Sequence, residues 1–331
     1  MNMFWENKNV LVTGAGGFIG SHLVESLVVQ GANVRAFVRY NSRGEAGHLS
    51  LLPAETFSKL EIIAGDLRDL TAVTTAMKGT EVVLHLGALI AIPYSYKHPA
   101  NVVDSNIIGT MNVLLASRET KVKRVVHTST SEVYGTALRV PIDESHPLQG
   151  QSPYSASKIS ADKLAESFFR SYDLPVVTLR PFNTYGPRQS ARAVIPTIIT
   201  QALTQNFIRL GNLDATRDLT YVSDTVNGFL RAGETSGIEG GTFNLGVGHE
   251  VKIGDLAEEI ISLIGRNVEV RVDESRLRPS KSEVQRLLSD NRLAKEKLNW
   301  TPEIKLRDGL LKTIEWLSAN LSLYRPNSYQ L

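Results

Sequence analysis

The chain of 331 residues contains no cysteine. This absence excludes disulfide bonds, thiolate catalysis and cysteine-based metal sites. An excess of one charge is also missing, because 36 Lys and Arg stand against 34 Asp and Glu and leave a net charge of +2. Such a balance gives no reason to expect a nucleic acid or an anionic membrane as a partner.

Long apolar segments are lacking as well. The longest, residues 82–92, contains His85 and is too short to cross a bilayer. Residues 1–6 lack the basic and apolar regions of a signal peptide, so we expect a cytoplasmic protein with no membrane attachment. His85 and His127 lie within apolar strands, and no His, Asp and Glu cluster has metal-site spacing, so we predict no metal.

Strand and helix signals alternate along the first half of the chain. Apolar runs typical of buried parallel strands are followed by helical periodicity that stops at glycines. This alternation predicts an α/β fold with a doubly wound parallel Rossmann sheet, which binds ligands outside the carboxyl ends of its strands. The predicted strands are residues 9–13, 34–38, 60–64, 82–86, 122–129 and 176–179, and the predicted helices are 19–30, 71–78, 100–118, 152–172 and 305–320.

The regular alternation ends near Arg180. We predict a dinucleotide-binding domain over residues 1–180, completed by about 219–247. Residues 181–331 are expected to form mainly a smaller C-terminal α/β substrate lobe. The tail, residues 324–331, is predicted to be irregular.

A glycine-rich segment joins the first predicted strand to the first helix. Gly14, Gly17 and Gly20 are spaced three apart. They permit a tight turn, close approach of the backbone to a pyrophosphate and close packing of helix on sheet. With Phe18 and Ile19 in the same segment, they predict a dinucleotide site.

The second predicted strand ends without the carboxylate that an NAD site usually carries. Arg39, Ser42 and Arg43 stand there instead, and guanidinium groups pair well with a phosphate. NADP is therefore favoured, while NAD stays possible if the arginines face water or stack on adenine. Asp66 can accept from the adenine amino group or cap the next helix. Further cofactor contacts are expected at the ends of the third and fourth strands, from Asp66, Leu67, Leu86 and Ala88.

Tyr154 and Lys158 are spaced i, i+4 near the start of a predicted helix and share one face. A free tyrosine titrates at about 10, and a lysine ammonium nearby favours its phenolate. A shift of about three units needs roughly 4 kcal/mol of differential interaction. The spacing alone is a weak signal, and it becomes strong when it follows a glycine-rich strand–helix unit.

These two motifs, residues 14–20 and 154–158, together resemble the extended short-chain dehydrogenase/reductase family. Members of that family mostly act on sugar nucleotides. The resemblance implies that Tyr154 is the base for a sugar hydroxyl, that Lys158 lowers the tyrosine pKa and holds the nicotinamide ribose, and that Thr130 completes the triad. The likeness covers nearly the whole chain and continues through residues 84–88, 106–110, 180–187 and 217–222.

The segment Thr130-Ser131-Glu132 is similar to that of nucleotide-sugar 4,6-dehydratases, whereas 4-epimerases usually have no acid there. The resemblance implies that Glu132 removes the C5 proton once C4 is a ketone, that the C6 hydroxyl leaves, and that C6 then receives the hydride. Many dehydratases have Asp at the position of Ser131. Either Glu132 both removes the C5 proton and protonates the leaving C6 hydroxyl, or Ser131 orients a water or that hydroxyl.

Residues 183–196 most resemble the dehydratases of legionaminic acid biosynthesis, which use a nucleotide-linked N-acetylglucosamine. We therefore expect a UDP- or GDP-linked substrate. By this resemblance the substrate site is formed by Ser95, Asn183, Val194, Arg217 and Arg278, the arginines pairing with phosphate. The structural alternatives for the two arginines are an ion pair of Arg217 with Asp218 or Asp224, and a surface charge at Arg278.

Other activities stay open at this point. A 4-epimerase or a UDP-glucuronate decarboxylase starts from the same C4 ketone, and some decarboxylases also have Ser-Glu after the threonine. A protein of another class, a non-catalytic NADP-binding scaffold or sensor, is a further alternative. In this family, helices such as residues 100–118 and 152–172 often pair with their copies in a four-helix bundle, so a homodimer is expected by analogy.

Overall fold

A computed structural model describes residues 4–324, so the predicted irregular tail lies outside the described residues except for Tyr324. The strands are β1 (Asn9–Thr13), β2 (Asn33–Arg39), β3 (Glu61–Gly65), β4 (Val82–His85), β5 (Arg124–Thr128), β6 (Val176–Pro181), β7 (Asn183–Tyr185), β8 (Phe207–Leu210), β9 (Thr216–Tyr221), β10 (Thr242–Leu245), β11 (Glu250–Lys252) and β12 (Glu269–Val272).

Helices connect these strands. They are α1 (Phe18–Val29), α2 (Ala54–Phe57), α3 (Leu70–Met77), α4 (Ile92–Lys97), α5 (Pro99–Val103), α6 (Gly109–Glu119), α7 (Pro153–Tyr172), α8 (Val194–Thr204), α9 (Val222–Glu234), α10 (Ile253–Ile264), α11 (Arg292–Leu298) and α12 (Leu306–Ala319).

The largest sheet confirms the predicted fold class. Its seven strands lie in the order β10-β6-β5-β4-β1-β2-β3, and all of its pairings are parallel. The strand order reverses between β1 and β4, which is the point where such sheets bind ligands. All six predicted strands are present within two residues of their expected ends. The seventh, β10, was not among them.

The helix predicted over residues 100–118 is continuous but not uniform. A π-helical turn, Asp104–Ile108, lies between α5 and α6. Within it, the side chain of Asn106 donates to the carbonyl of Leu89 (2.9 Å) and to the hydroxyl of Ser157 (2.9 Å). The turn thus joins the loop after β4 to α7, two elements that carry predicted site residues.

The remaining strands form two small sheets beside the large one, β11-β9-β7 and β12-β8. Apolar side chains of α8, α10 and α12 continue the core of the large sheet into this lobe. No helix within residues 4–324 is both long and apolar enough to cross a membrane. In the same part of the chain, no three His, Asp or Glu side chains are grouped as metal ligands.

Candidate active site

The glycine-rich segment after β1 forms a tight cradle at the carboxyl edge of the sheet. Gly14 has a φ of +68°, and a Cβ there would lie 2.8 Å from the backbone nitrogen of Gly87. Only glycine fits this close approach. α1 begins after Gly17 without a side-chain cap, which leaves its first N–H groups available. These features suit the pyrophosphate of a dinucleotide.

A cavity of about 690 Å³ opens beside the cradle and extends to the smaller lobe. The predicted site residues that line it are Gly14, Gly17, Phe18, Ile19, Gly20, Arg39, Leu86, Ala88, Thr130, Ser131, Glu132, Tyr154, Asn183 and Arg278. Residues expected at the cofactor, at the chemistry and at the substrate therefore meet in one cavity. Eight others are not part of its lining, namely Ser42, Arg43, Asp66, Leu67, Ser95, Lys158, Val194 and Arg217.

The loop after β2 folds back on itself. The Asn41 carboxamide accepts from the backbone N–H groups of Arg43 and Glu45 and donates to the Glu45 carbonyl. Ser42 and Arg43 consequently face solvent, and the Arg43 side chain is 82% exposed and 3.6 Å from Glu45. Arg39 lines the cavity, and so does Glu45, which the sequence pattern did not single out. Ser42 and Arg43 are therefore outside the cavity lining, and their expected contact with the cofactor stays a prediction.

Asp66 does not cap the helix that follows it, and its expected contact with adenine stays a prediction. Its carboxylate binds the Arg68 side chain at 2.6 Å, and this hydrogen bond lowers the pKa of Asp66 to about 2. The helix cap is instead Asp69, which accepts from the backbone N–H groups of Thr71 and Ala72. Leu67 packs beside the backbone of Gly87, where its side chain supports the cavity wall from behind.

Tyr154 is placed by the first turn of α7. Ser152 forms a capping box with Ser155, which fixes the start of the helix and directs Tyr154 into the cavity. Burial raises the pKa of Tyr154, while its hydrogen bond with Thr130 acts in the opposite direction. The charge of Glu132 raises it further, so the ligand-free enzyme holds Tyr154 as the neutral phenol.

Lys158 lies one turn after Tyr154 and is almost fully buried beneath the cavity. Burial lowers the pKa of Lys158 to about 8, and the carboxylate of Asp162 opposes that shift. The lysine is therefore mostly an ammonium at neutral pH. That Lys158 in turn lowers the pKa of Tyr154 stays a prediction for the enzyme with its ligands bound.

Glu132 follows β5 in a short 3-10 turn, Ser131–Tyr134. Thr130 caps this turn by accepting from the Glu132 backbone N–H at 3.3 Å. The cap sends the Glu132 side chain towards the cavity, where Nη1 of Arg278 is 3.9 Å from its Oε1 atom. Ser131 also lines the cavity but is 3% exposed.

Two arginines and a glutamate lie close together near Glu132, and of these three Arg278 alone lines the cavity. Arg217 is buried and its Nη2 is 3.5 Å from Oε1 of Glu283, while Nη1 of Arg278 is 4.0 Å from the same oxygen. Nη1 of Arg278 is also buried and has no hydrogen-bond partner. The partner of Arg217 is thus Glu283, and neither Asp218 nor Asp224, which accept backbone N–H groups of other loops. Glu283 was not foreseen.

Asn183 and Ser95 differ in what they offer to a ligand. Asn183 lines the cavity, and its Oδ1 is buried without a hydrogen-bond partner. Ser95 is fully buried and its hydroxyl donates to the Ile92 carbonyl at 2.7 Å, and its expected contact with substrate stays a prediction. Val194 begins α8 at the cavity edge, next to Ala193.

The strand order, the glycine cradle and the Thr130, Tyr154 and Lys158 cluster define a Rossmann-fold enzyme of the short-chain dehydrogenase/reductase class. Residues 11–313 match the family described as GDP-mannose 4,6 dehydratase, and the chain belongs to that family of nucleotide-sugar dehydratases and epimerases.

The chain is similar both to 4-epimerases and to 4,6-dehydratases. The chain is 35% identical to UDP-glucose 4-epimerase of Mycolicibacterium smegmatis, over 92% of this chain and 97% of the relative. It is 32% identical to human dTDP-D-glucose 4,6-dehydratase, over 95% of this chain and 91% of the relative.

Solved structures show the same division. UDP-N-acetylglucosamine 4-epimerase of Methanobrevibacter ruminantium superposes with a TM-score of 0.86 at 30% identity, covering 95% of this chain and 99% of that one. DesIV, a dTDP-glucose 4,6-dehydratase of Streptomyces venezuelae solved with NAD, superposes with a TM-score of 0.85 at 29% identity, covering 96% and 99%.

Proposed function

We propose that this protein is a nucleotide-sugar 4,6-dehydratase acting on a UDP- or GDP-linked N-acetylglucosamine. The observation that carries the proposal is the Glu132 carboxylate, which enters the same cavity as Tyr154. A 4-epimerase needs the tyrosine but has no use for a second base. The product is the 4-keto-6-deoxy sugar.

The first step belongs to Tyr154, Thr130 and Lys158. When bound, the nicotinamide dinucleotide supplies reversible hydride transfer, from C4 of the sugar and later to C6. Tyr154 takes the proton of the C4 hydroxyl, and Thr130 holds the tyrosine oxygen by its hydrogen bond. Lys158 stabilises the phenolate form and holds the nicotinamide ribose.

The second step belongs to Glu132. Oxidation at C4 makes the C5 proton acidic, and Glu132 removes it as the C6 hydroxyl departs. Glu132 itself protonates that hydroxyl, or a water held by Ser131 does so. The Ser131 hydroxyl is too weak an acid to act alone. A proton returned to C5 completes the reaction, and solvent deuterium should enter there.

The lobe side of the cavity holds the nucleotide in this proposal. Arg217 and Arg278 pair with the diphosphate, and Asn183 offers its unpartnered oxygen to a hydroxyl or amide N–H. Residues 181–331 act as the substrate lobe, and residues 1–180, with about 219–247, hold the cofactor.

NADP remains the cofactor that we propose, with NAD as the alternative. Arg39 lines the cavity at the end of β2 and suits a 2′-phosphate. Glu45 supports the alternative, because its carboxylate lies at the same end and can accept from ribose hydroxyls.

Two related activities compete with the dehydratase. The epimerase relative favours 4-epimerisation, and MoeE5, solved in complex with UDP-glucuronic acid and NAD, keeps sugar-acid chemistry open. Incubation with UDP- and GDP-N-acetylglucosamine and with UDP-glucuronate, followed by mass spectrometry, separates them. We expect loss of water. Loss of carbon dioxide indicates a decarboxylase, and unchanged mass with a new sugar indicates an epimerase.

We further propose a homodimer through the helix Pro99–Glu119 and α7. Val103 and Ile108 are exposed on this helix, and Met111 and Leu115 are half-buried along it. Contiguous apolar surface of this kind marks an interface. In sedimentation experiments, Ile108→Lys should yield a monomer, while Val29→Lys, at an exposed apolar position on α1, should not. A wild-type monomer contradicts the proposal.

A further inference from the structure

A buried carboxylate lies on α7 behind the proposed catalytic pair. Asp162 is one turn beyond Lys158 and two turns beyond Tyr154, and it is 5% exposed. It does not line the cavity. Whatever Asp162 contributes to the chemistry must therefore pass through a neighbouring residue.

Three groups from the adjoining strands hold this carboxylate in place. The hydroxyl of Ser129 donates to Oδ2 at 2.8 Å, and Arg180 donates to the same oxygen from Nε at 3.2 Å and from Nη2 at 3.1 Å. Nε2 of His127 lies 3.1 Å from Oδ1. These bonds favour the ionised form, and together they lower the pKa of Asp162 despite its burial.

The groups around Lys158 make the charge of Asp162 decisive. His85 on β4 and His127 on β5 face the lysine, and burial lowers the pKa of both imidazoles. They are therefore neutral and add no further positive charge beside the lysine. Arg180 is bound to Asp162 and to the hydroxyl of Tyr134.

The charges of Glu132 and Asp162 both raise the pKa of Tyr154. Asp162 is the group whose charge acts on Lys158 in favour of the ammonium. An amine buried without such a partner loses its proton readily.

We propose that Asp162 is a positioning residue that keeps Lys158 charged beneath Tyr154, because the two buried side chains are spaced i, i+4 on one face of α7. The proposal rests on the role given to Lys158 in the proposed function. The Ser129, His127 and Arg180 contacts fix the carboxylate on the face of α7 that also carries Lys158.

The direct test is the titration of Lys158 itself, which requires no substrate. Full-length protein carrying carbon-13-labelled lysine is titrated by NMR, and the Lys158 signal is assigned by its loss in Lys158→Met. Asp162→Asn should lower the pKa of Lys158 by about one unit or more, as removal of a close opposite charge does. Asp162→Glu should restore most of it. Glu166→Gln, one turn further along α7 and paired with Lys163, is the control and should change nothing.

Asp162→Asn leaves Arg180 without its buried partner and can impair folding. The double variant Asp162→Asn/Arg180→Met removes both charges and avoids that uncompensated charge. It should still lower the lysine pKa, but by less than Asp162→Asn alone, because a nearby positive charge is removed as well. An unchanged Lys158 pKa in either folded variant overturns the proposal.

A second readout separates positioning from a merely structural role. Formation of reduced cofactor in a single turnover, measured with UDP- and with GDP-N-acetylglucosamine, reports C4 oxidation alone. The rate of this oxidation is measured as a function of pH. In Asp162→Asn the alkaline limb of that pH profile should move to lower pH by the same amount as the lysine pKa. A shifted lysine pKa with an unmoved limb also overturns the proposal. Absence of C4 oxidation in the wild type counts against the proposed function, while the titration still decides the role of Asp162.

Discussion

Nη1 of Arg278 lies 3.9 Å from Oε1 of Glu132 and 4.0 Å from Oε1 of Glu283. Both separations exceed hydrogen-bond length, so this buried N–H is attracted to two carboxylates without being bound by either. A diphosphate offers a stronger acceptor. We expect the nucleotide to draw Arg278 away from Glu132, which leaves the glutamate free to act at C5.

Loss of the Arg278 guanidinium should weaken nucleotide binding. A hydrogen bond to a charged group contributes about 1.5–3 kcal/mol, so Arg278→Met should lower the affinity for UDP or GDP by about tenfold or more. Isothermal titration calorimetry measures this directly. Arg271→Met, an exposed arginine paired with Glu269, is the matched control. Equal affinities for all three proteins refute the assignment of Arg278.

Glu132→Gln should divide the reaction into its two stages. Tyr154, Thr130 and Lys158 are unchanged, so C4 oxidation and reduction of the cofactor persist. The amide cannot remove the C5 proton, so solvent deuterium does not enter C5 and no water is lost. Tyr154→Phe should block both stages. Normal deuterium entry in Glu132→Gln rules out the proposed base.

Arg39 and Arg43 provide a matched pair for cofactor choice. Arg39 lines the cavity, whereas Arg43 faces solvent beside Glu45. Arg39→Ser should weaken NADP binding by about tenfold or more and leave NAD nearly unchanged, because only NADP has the 2′-phosphate. Arg43→Ser should affect neither. Fluorescence titration with the reduced cofactors distinguishes the two, and tighter NAD than NADP binding by the wild type contradicts the preference.

His22 should make the protein sensitive to acid. Burial and the nearby Arg188 lower the pKa of His22 to about 4, below the ordinary value of 6.5. The folded state therefore binds a proton at His22 less readily than the unfolded state does. The free energy of unfolding is at its full value above about pH 6.5 and falls as the pH falls towards 4. The loss is about 2 kcal/mol at pH 5.

Denaturant unfolding at pH 7 and pH 5 tests the role of His22. His22→Asn should lose less stability between these two pH values than the wild type, by about 2 kcal/mol. The exposed His249 serves as the control, and His249→Asn should resemble the wild type. An acid response identical in all three proteins excludes His22 as its source.

Local patterns were sufficient for most of the large sheet. Apolar runs ending at glycines identify buried strands, and the capping of α7 by Ser152 follows from ordinary helix chemistry. β10 was not predicted as a strand, although it lies within residues 219–247, which were expected to complete the dinucleotide-binding domain. The chain leaves the sheet after β6, builds β7, β8 and β9 elsewhere and only then returns.

The candidate site was predictable where residue spacing determines geometry. Tyr154 and Lys158 share a helix face, and the glycine cradle needs only its own segment. Glu283 was missed because a loop far along the chain brings it to Arg217 and Arg278. Glu45 was missed because the Asn41 side chain folds its loop back to the cavity. Ser95 shows the converse, since its position in a motif did not reveal that its hydroxyl is bound to Ile92.

The most direct test of the account follows a label from C4. UDP- and GDP-N-acetylglucosamine deuterated at C4 are incubated with the enzyme, and the product is examined by mass spectrometry and NMR. A 4,6-dehydratase should lose one water and carry the deuterium at C6. Deuterium that remains at C4, in a product of unchanged mass, contradicts the account and identifies an epimerase.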